Sequence, residues 1–361
     1  MLNKSQRPRY YLIQKDDMKA RSWARYAKTN AIDIIPMAGS PILYPYIFLR
    51  TLIRQGRPSG IIFRYLNDYP SLFKTLVRTV AEVSLISLSI ILRVKILWIC
   101  HNVDRETMAH HKRISHFRRQ FVAKSSHKIF VMNELLVEHF SYYFEHASEK
   151  CQSIQFGLPN QKQIGDVQEI AQAVEFITAS KSHLEDSDLI ESNVLVTFCA
   201  GTPDNEKYLH FDHLEWLISA AQSANYHVIA IVAGEFNRTK RGRELKSQYS
   251  KNPNILFFDH YTEFSDEFVD KYIDFYWRAY SDLSVPYTIY EAISLLKPIM
   301  CLKTGFLAEL VSKSQIGPVI SMNEPVATIK KAFDSINNRV YHSHLMDCRK
   351  NATWVDLKNK L

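Results

Sequence analysis

The sequence predicts an α/β protein made of two doubly wound, Rossmann-like domains facing a cleft, and three observations predict it. Short apolar runs recur at intervals of roughly 25–30 residues with helical patterns between them, the spacing that parallel strands and crossover helices require. Several of these runs stop abruptly in polar residues or glycine, as strands do at the carboxyl edge of an open sheet. The chain has 361 residues, too many for one ordinary core and suited to two. The expected division is a first domain over 1–165, a linker over 166–192, a second domain over 193–340 and a terminal helix over 341–361.

In the first half, Tyr10 to Gln14 and Ile32 to Pro36 read as strands, with a basic helix or loop from Lys15 to Lys28 between them. Met37-Ala-Gly39-Ser40-Pro41 breaks regular structure before a helix from Tyr44 to Ile53. Gly39 is a candidate for bringing backbone N–H groups to a substrate, with a plain turn as the alternative. Gly60 to Tyr65 is a third strand. A long helix then runs from Tyr69 towards Leu92, apolar on most sides, which implies either deep core or a helix partly sunk in a bilayer surface. Arg93 and Lys95 interrupt the apolar stretch from Val83 to Cys100, so it reads as a buried helix followed by a buried strand rather than a membrane span.

That strand ends in His101-Asn102-Val103-Asp104-Arg105-Glu106, five functional side chains at one sheet edge. A carboxylate or histidine there can take a proton from a substrate hydroxyl, which makes Asp104, Glu106 and His101 candidate bases and Asn102 and Arg105 candidate substrate contacts. A loop cap with Arg105 paired to Glu106 is the alternative. His110 to Arg119 follows as a basic helical run that reads as a solvated or membrane-facing surface. It is no metal site, because the adjacent His110 and His111 point to different faces. Ser126 to Met132 is a strand, Leu135 to Phe144 a helix, and Ser153 to Asn160 a short strand and turn.

The second half opens with a buried strand, Asn193 to Ala200, running into a turn at Gly201, with Lys207 just beyond. A helix from His213 to Ala224, a strand from His227 to Gly234, a basic loop from Arg238 to Arg243, a strand from Asn254 to Phe258, a helix from Phe264 to Tyr272 and a strand from Ile273 to Trp277 follow. The stretch from Ser284 to Val311 is the most informative. It contains a loop, a short helix carrying Tyr290 and Glu291, a buried strand around Ile299 to Leu302, a turn at Thr304-Gly305 and a helix opening near Glu309. Helices at Ile329 to Ile336 and Asp347 to Leu361 close the chain.

This last stretch, with Glu291-Ala292, then Lys297-Pro298 before an apolar strand, then Gly305-x-x-x-Glu309-Leu-Val311, resembles the nucleotide-sugar half of glycosyltransferases with the two-domain B-type fold, nearest to family 4 and its relatives. The apolar strand ending in His101-Asn102 is similar to the acceptor half of bacterial enzymes that build polysaccharides or lipid-linked oligosaccharides. The resemblance implies that Glu291 holds the donor's ribose and that the Thr304-Gly305 loop, Tyr290, Gly201 and Lys207 complete the donor site, Lys207 meeting the diphosphate. It further implies that a glycan or polyprenyl-diphosphate-linked glycan is the acceptor, and that the last helix crosses back to the first domain. Family 4 enzymes usually carry a second glutamate eight positions before the first, where this chain has Leu283. The retaining outcome is therefore open, with a lean towards inversion. No cofactor beyond the nucleotide-sugar substrate is expected, and no metal, since helix N-termini and a lysine can offset a leaving diphosphate.

Charge is unevenly spread. Residues 1–128 carry 23 Lys and Arg against 7 Asp and Glu, a net +16, while residues 129–361 carry a net −8. Such a basic half attracts polyanions. An anionic membrane surface is the expected partner and nucleic acid is not. The five cysteines are scattered without a Cys-x-x-Cys pair, which suits reduced thiols, and the polar, basic residues 1–9 show no signal peptide. The expected location is cytoplasmic, peripheral on the inner face of the plasma membrane. Two rivals explain parts of the pattern: a non-enzymatic polyanion-binding protein, and a sugar-nucleotide epimerase of the same fold.

Overall fold

A computed structural model describes residues 9–28, 32–106, 109–185, 193–203, 209–237 and 239–361. The chain divides into two compact units. The first comprises residues up to Gly157, Leu283–Val285 and Thr353–Leu361; the second comprises Leu158–Asp282 and Pro286–Ala352.

The first unit contains β1 (Arg9–Gln14), α1 (Met18–Ala27), β2 (Ile32–Met37), α2 (Tyr44–Gln55), β3 (Gly60–Phe63), α3 (Leu72–Ile91), β4 (Lys95–Cys100), α4 (Lys112–Ser125), β5 (Lys128–Val131), α5 (Leu135–Tyr143) and β6 (Cys151–Ser153). Its strands form one parallel sheet in the order β2-β1-β3-β4-β5-β6. The chain leaves β1 towards β2 and returns on the other side as β3, so the topological switch lies between β1 and β3, where Gln14 and Arg64 emerge. The second unit contains α6 (Val167–Glu185), β7 (Val194–Ala200), α7 (Leu209–Asp212), α8 (Leu214–Ser223), β8 (His227–Ala233), α9 (Lys240–Tyr249), β9 (Ile255–Phe258), α10 (Asp266–Tyr272), β10 (Phe275–Trp277), α11 (Thr288–Ser294), β11 (Ile299–Leu302), α12 (Gly305–Ser314), β12 (Val319–Ile320), α13 (Val326–Asn337) and α14 (His342–Asn351). Its sheet is also parallel, ordered β12-β11-β10-β7-β8-β9, with the switch between β7 and β10. The closing helix α15 (Val355–Lys360) packs on α1 in the first unit.

Both sheets are covered on two faces, which is why their strands read as unbroken apolar runs. Trp98, Phe63 and Phe130 are fully buried around the first sheet, and Trp277, Phe211 and Phe333 anchor the core of the second. Trp354 meets Trp23 edge-on at 5.4 Å and ties the final helix down. Gly157 permits this, since a Cβ there would lie 2.2 Å from the Trp354 ring. All five cysteines are free thiols, and burial pushes those of Cys100 and Cys199 up to about 12.

Several expectations need correction. The weak helical segment expected around Val167 to Thr178 within the linker is the helix α6, longer than expected, and the Asp166 carboxylate accepts the Glu263 N–H at 2.7 Å, fixing its start to the second unit. The expected basic loop at Arg238 to Arg243 is largely the start of α9, because Thr239 caps the helix by accepting the Gly242 N–H at 3.0 Å. Helix α12 opens at Gly305, four residues before Glu309. The terminal helix is two helices, parted at Ala352–Trp354. Arg118 and Arg119 are not surface cations: they are 2% and 5% exposed. Nor is α3 simply buried, since its outward side carries exposed apolar residues.

Candidate functional site

At the switch point of the first sheet, four residues, Gln14, Asp17, Tyr65 and His101, meet Arg64. The Arg64 backbone N–H donates to Gln14 Oε1 at 2.8 Å, and its guanidinium, 1% exposed, donates to Asp17 Oδ1 at 2.7 Å and to the Tyr65 hydroxyl at 2.9 Å. Asp17 also caps α1 by accepting the Ala20 N–H at 2.9 Å. Arg64 Nε lies 3.3 Å from Nε2 of His101 and donates to it, which makes Nε2 an acceptor and leaves the ring proton on Nδ1. The imidazole is stacked between Tyr65 at 4.6 Å and Phe156 at 5.9 Å. His101 is thus held in orientation on both faces and at one nitrogen.

The residues that follow His101 divide by burial. Glu106 is 8% exposed; its carboxylate accepts the Leu66 N–H at 3.3 Å and lies 3.4 Å from Arg119 Nε. Burial pushes this carboxyl above its ordinary range, against the pull of Arg119. Arg119 also donates to the carbonyls of Asn102 and Val103, both at 2.7 Å, so Glu106 and Arg119 shape the loop from behind. Asp104 is more open, with 18% of its side chain exposed. Its Oδ1 accepts the Leu283 N–H at 3.1 Å, and Val103 donates to the Leu283 carbonyl at 2.9 Å, beside a backbone bridge between Asn102 and Ser284. Arg105 is exposed, 3.6 Å from Asp104. Gly39 is exposed in a left-handed conformation beyond β2, three strands from β4 or about 14 Å at ordinary strand spacing. An added Cβ there meets nothing, so Gly39 stands apart from the cluster.

Behind this edge lies a buried ion cluster. Arg118 donates to Glu82 at 2.8 Å and to Asp68 at 2.6 Å, and Arg78 donates to Glu82 at 2.9 Å and to the Tyr65 carbonyl at 2.6 Å. It locks α3 and α4 to the loop that carries Arg64 and Tyr65.

In the second unit the switch point is likewise occupied by a buried arginine. Arg278, 1% exposed, follows β10 and donates from Nη1 to the Ala200 carbonyl at 2.8 Å, with His210 Nε2 3.5 Å away. Its Nε and Nη2 are buried without a hydrogen-bond acceptor. His210 is fully buried, its Nδ1 3.2 Å from the Ala279 carbonyl. Burial, with Arg278 beside it, holds its imidazole well below the usual 6.5. Gly201 ends β7 in the same place, and Thr202 is hydrogen-bonded to Tyr261 at 2.5 Å. Thr304 is the residue before α12, and Gly305 has φ +67° with the Tyr280 carbonyl so near that a Cβ would sit 2.1 Å from its oxygen. The α12 N-terminus therefore packs against the chain leaving β10, with no acidic residue in its first turn. Glu291 lies in the first turn of α11 with 26% of its side chain exposed, and Lys162 Nζ is 3.7 Å from its Oε1. Tyr290 is buried and stacks on Tyr287. Lys207 lies outside the described residues.

Of the expected residues, His101, Asn102, Asp104, Arg105 and Glu106 share one edge, with Glu106 behind it, and Gly201 and Thr304-Gly305 flank the second switch point. Arg64, Tyr65, Arg278 and His210 were missed. For Arg64 and Arg278 the signal was present, a charged residue directly after an apolar strand, as at His101.

No family model and no curated protein matches the sequence. Solved structures do match. WaaG, a glycosyltransferase involved in lipopolysaccharide biosynthesis, is 12% identical with a TM-score of 0.55, over 97% of this chain and 98% of that one. Anabaena HepE, solved in complex with UDP, is 14% identical with a TM-score of 0.60, over 98% of each chain. The catalytic domain of starch synthase IV from Arabidopsis thaliana, bound to ADP and acarbose, is 11% identical with a TM-score of 0.57, over 98% of this chain and 95% of that one. At these identities the likeness is one of architecture, and with two parallel six-stranded sheets it shows that the chain has the two-domain B-type glycosyltransferase fold.

Proposed function

We propose that this protein is a glycosyltransferase that moves a hexose-type sugar from a nucleoside diphosphate donor to a glycan, with a lipid-linked glycan as the acceptor. The second unit holds the donor: Glu291 takes the ribose hydroxyls, and Arg278 with the N–H groups opening α12 and the turn at Gly201 offsets the diphosphate charge, without a metal. Asp104 of the first unit takes the acceptor's hydroxyl proton. The freed oxygen forms a bond to the anomeric carbon as the bond from that carbon to the diphosphate breaks, and the electron pair leaves with the nucleoside diphosphate. This is an inverting displacement. Asp104 is favoured over its neighbours because Glu106 is buried and engaged with Arg119, and because Nε2 of His101 already accepts from Arg64.

The observation that carries the reading is Arg278, a buried guanidinium with two unpaired donors at the switch point of a parallel sheet, where such sheets bind ligands. The nucleotides bound to HepE and to the starch synthase domain support a nucleotide as that ligand. Work at the inner face of the plasma membrane suits the lipid-linked acceptor and the basic first half.

A thermal-shift screen with UDP, ADP, GDP and their sugar conjugates tests it, since a specific ligand raises the unfolding temperature by mass action. One nucleotide class should stabilise the protein, Glu291→Ala should remove that shift, and transfer of labelled sugar should require a lipid-extracted acceptor. A protein that no nucleotide stabilises would end the proposal. Conversion of the donor to an epimeric nucleotide sugar without any acceptor would favour the epimerase instead.

A further inference from the structure

Helix α3 buries an arginine and a glutamate and leaves a row of large apolar side chains facing outward. Its inward face buries Ala81, Leu85 and Ile86, and with them the charged residues Arg78 and Glu82, 5% and 3% exposed, together with Thr75 and Ser89. Its outward face carries Leu72, Phe73, Leu76, Val80, Ile90 and Ile91, which are 46–74% exposed. A surface helix ordinarily turns its apolar stripe inward. Here the ion pairs from Arg118 to Glu82 and Asp68 permit charges on the inner face, and these apolar residues are left outside.

Helix α2 packs beside α3 and extends the same character. Tyr46, Leu49 and Ile53 fall at helical spacing along one side and are 64%, 39% and 83% exposed, while Tyr44 and Phe48 point into the core. Arg50 and Arg54, both exposed, follow Tyr46 by four and eight residues and border that stripe. Arg57 reaches the end of α3, donating to the Leu92 carbonyl at 3.4 Å, and Lys74, Arg93 and Lys95 are exposed at the two ends of α3. Between residues 34 and 103 the only acidic side chains are Asp68 and Glu82, and both are buried. Every exposed formal charge on this segment is positive.

We propose that the α2–α3 face docks flat on an anionic lipid bilayer, with the apolar side chains entering the headgroup boundary and the arginines and lysines meeting lipid phosphates. The 20-residue α3 is about 30 Å long and lies in the plane of the interface. It does not cross, because its other face is tied to α4 by the Arg118–Glu82 pair and to the loop after β3 by the bond from Arg78 to the Tyr65 carbonyl. A two-fold dimer through this face would press like-charged rims together, whereas an anionic surface complements them. The proposal is independent of the sugar-transfer reading, although a lipid-linked acceptor would be met at such a surface.

The test is flotation of the full chain with vesicles of phosphatidylcholine alone or mixed with phosphatidylglycerol. The wild-type protein should float with the mixed vesicles, less so as salt rises, and weakly with the neutral ones. The double variant Phe73→Glu, Val80→Glu should bind mixed vesicles about a hundredfold more weakly. Arg50→Glu, Arg54→Glu should lose the preference for anionic lipid. Both should keep the wild-type unfolding temperature and any nucleotide-induced shift, which separates failure here from failure of the donor site. Equal flotation of both variants and the wild type would overturn the proposal. So would a wild-type protein that ignores anionic vesicles, including one that forms a dimer disrupted by the same substitutions.

Discussion

Arg64 Nε lies 3.3 Å from Nε2 of His101, and that single contact fixes what the histidine can do. A guanidinium donating to Nε2 occupies that nitrogen's lone pair, so it is not free to accept from a substrate hydroxyl. His101 is thereby an oriented ring whose stacking with Tyr65 and Phe156 shapes the strand edge. Arg64→Met should remove that restraint and strand the Asp17 carboxylate 2.7 Å from the lost Nη1. Breaking one side of a buried ion pair costs about 3–5 kcal/mol, somewhat less here because Asp17 is partly exposed. Chemical denaturation should register the loss. An unchanged denaturation midpoint would show that the bonds made by Arg64 do not hold this edge together.

Asp104 is asked to serve two ends, and the two separate by substitution. Its Oδ1 accepts the Leu283 N–H across 179 residues of sequence. Asp104→Asn retains an oxygen for that bond and loses the basicity, so transfer should fall by about 100-fold to 10,000-fold with stability nearly unchanged. Asp104→Ala should lose both. If Asp104→Asn retains wild-type turnover, the carboxylate only holds Leu283 and the base lies elsewhere.

How far these features were readable from the chain depends on whether they are local. The strand edge at His101 was readable because five apolar residues, Ile96 to Cys100, stop at a run of polar ones. Arg64 ends a strand in the same way, yet Phe63-Arg64-Tyr65 continues an aromatic pattern that reads as more strand. The Arg118–Glu82–Asp68 cluster was not readable, because its partners lie 36 and 50 residues apart and a basic run with no acid at helical spacing reads as solvated. Helix α3 shows the limit of periodicity most directly. A helix apolar on most sides does not reveal which side is buried, and here the buried side is the one that holds Arg78 and Glu82. Leu283 was noticed as a missing acid, but only the fold shows its backbone joined to Asp104.

His210 gives the second unit a pH dependence with a definite sign. Its folded pKa lies well below the unfolded value of 6.5, because burial disfavours the charged ring and Arg278 adds to this. The stability contributed by a neutral buried histidine is fully present above that unfolded value and is lost as pH falls below it. The slope approaches about 1.4 kcal/mol per pH unit for one proton. Denaturant unfolding from about pH 7.5 to about pH 5.5 should show this loss in the wild type. His210→Asn should show a shallower dependence, and parallel curves for the two proteins would assign the acid sensitivity to other groups.

Arg278 makes the most exacting prediction, because a structural and a ligand-binding arginine fail differently. Its Nη1 bonds the Ala200 carbonyl, while Nε and Nη2 are buried without acceptors, an arrangement that costs stability unless something anionic relieves it. Arg278→Met should therefore weaken nucleotide diphosphate binding by about a hundredfold, since charge-assisted bonds to phosphate are the strong ones. It should also raise the pH at which His210 protonates by removing the neighbouring charge. Arg278→Lys keeps that charge without the fork and should recover only part of the affinity. Calorimetric titration of each variant with the nucleotide found in the thermal screen is the measurement. A nucleoside lacking phosphates should bind wild type and variants alike. If Arg278→Met lowers stability while nucleotide affinity holds, the guanidinium serves only the turn at Ala200, and the diphosphate is held by other groups.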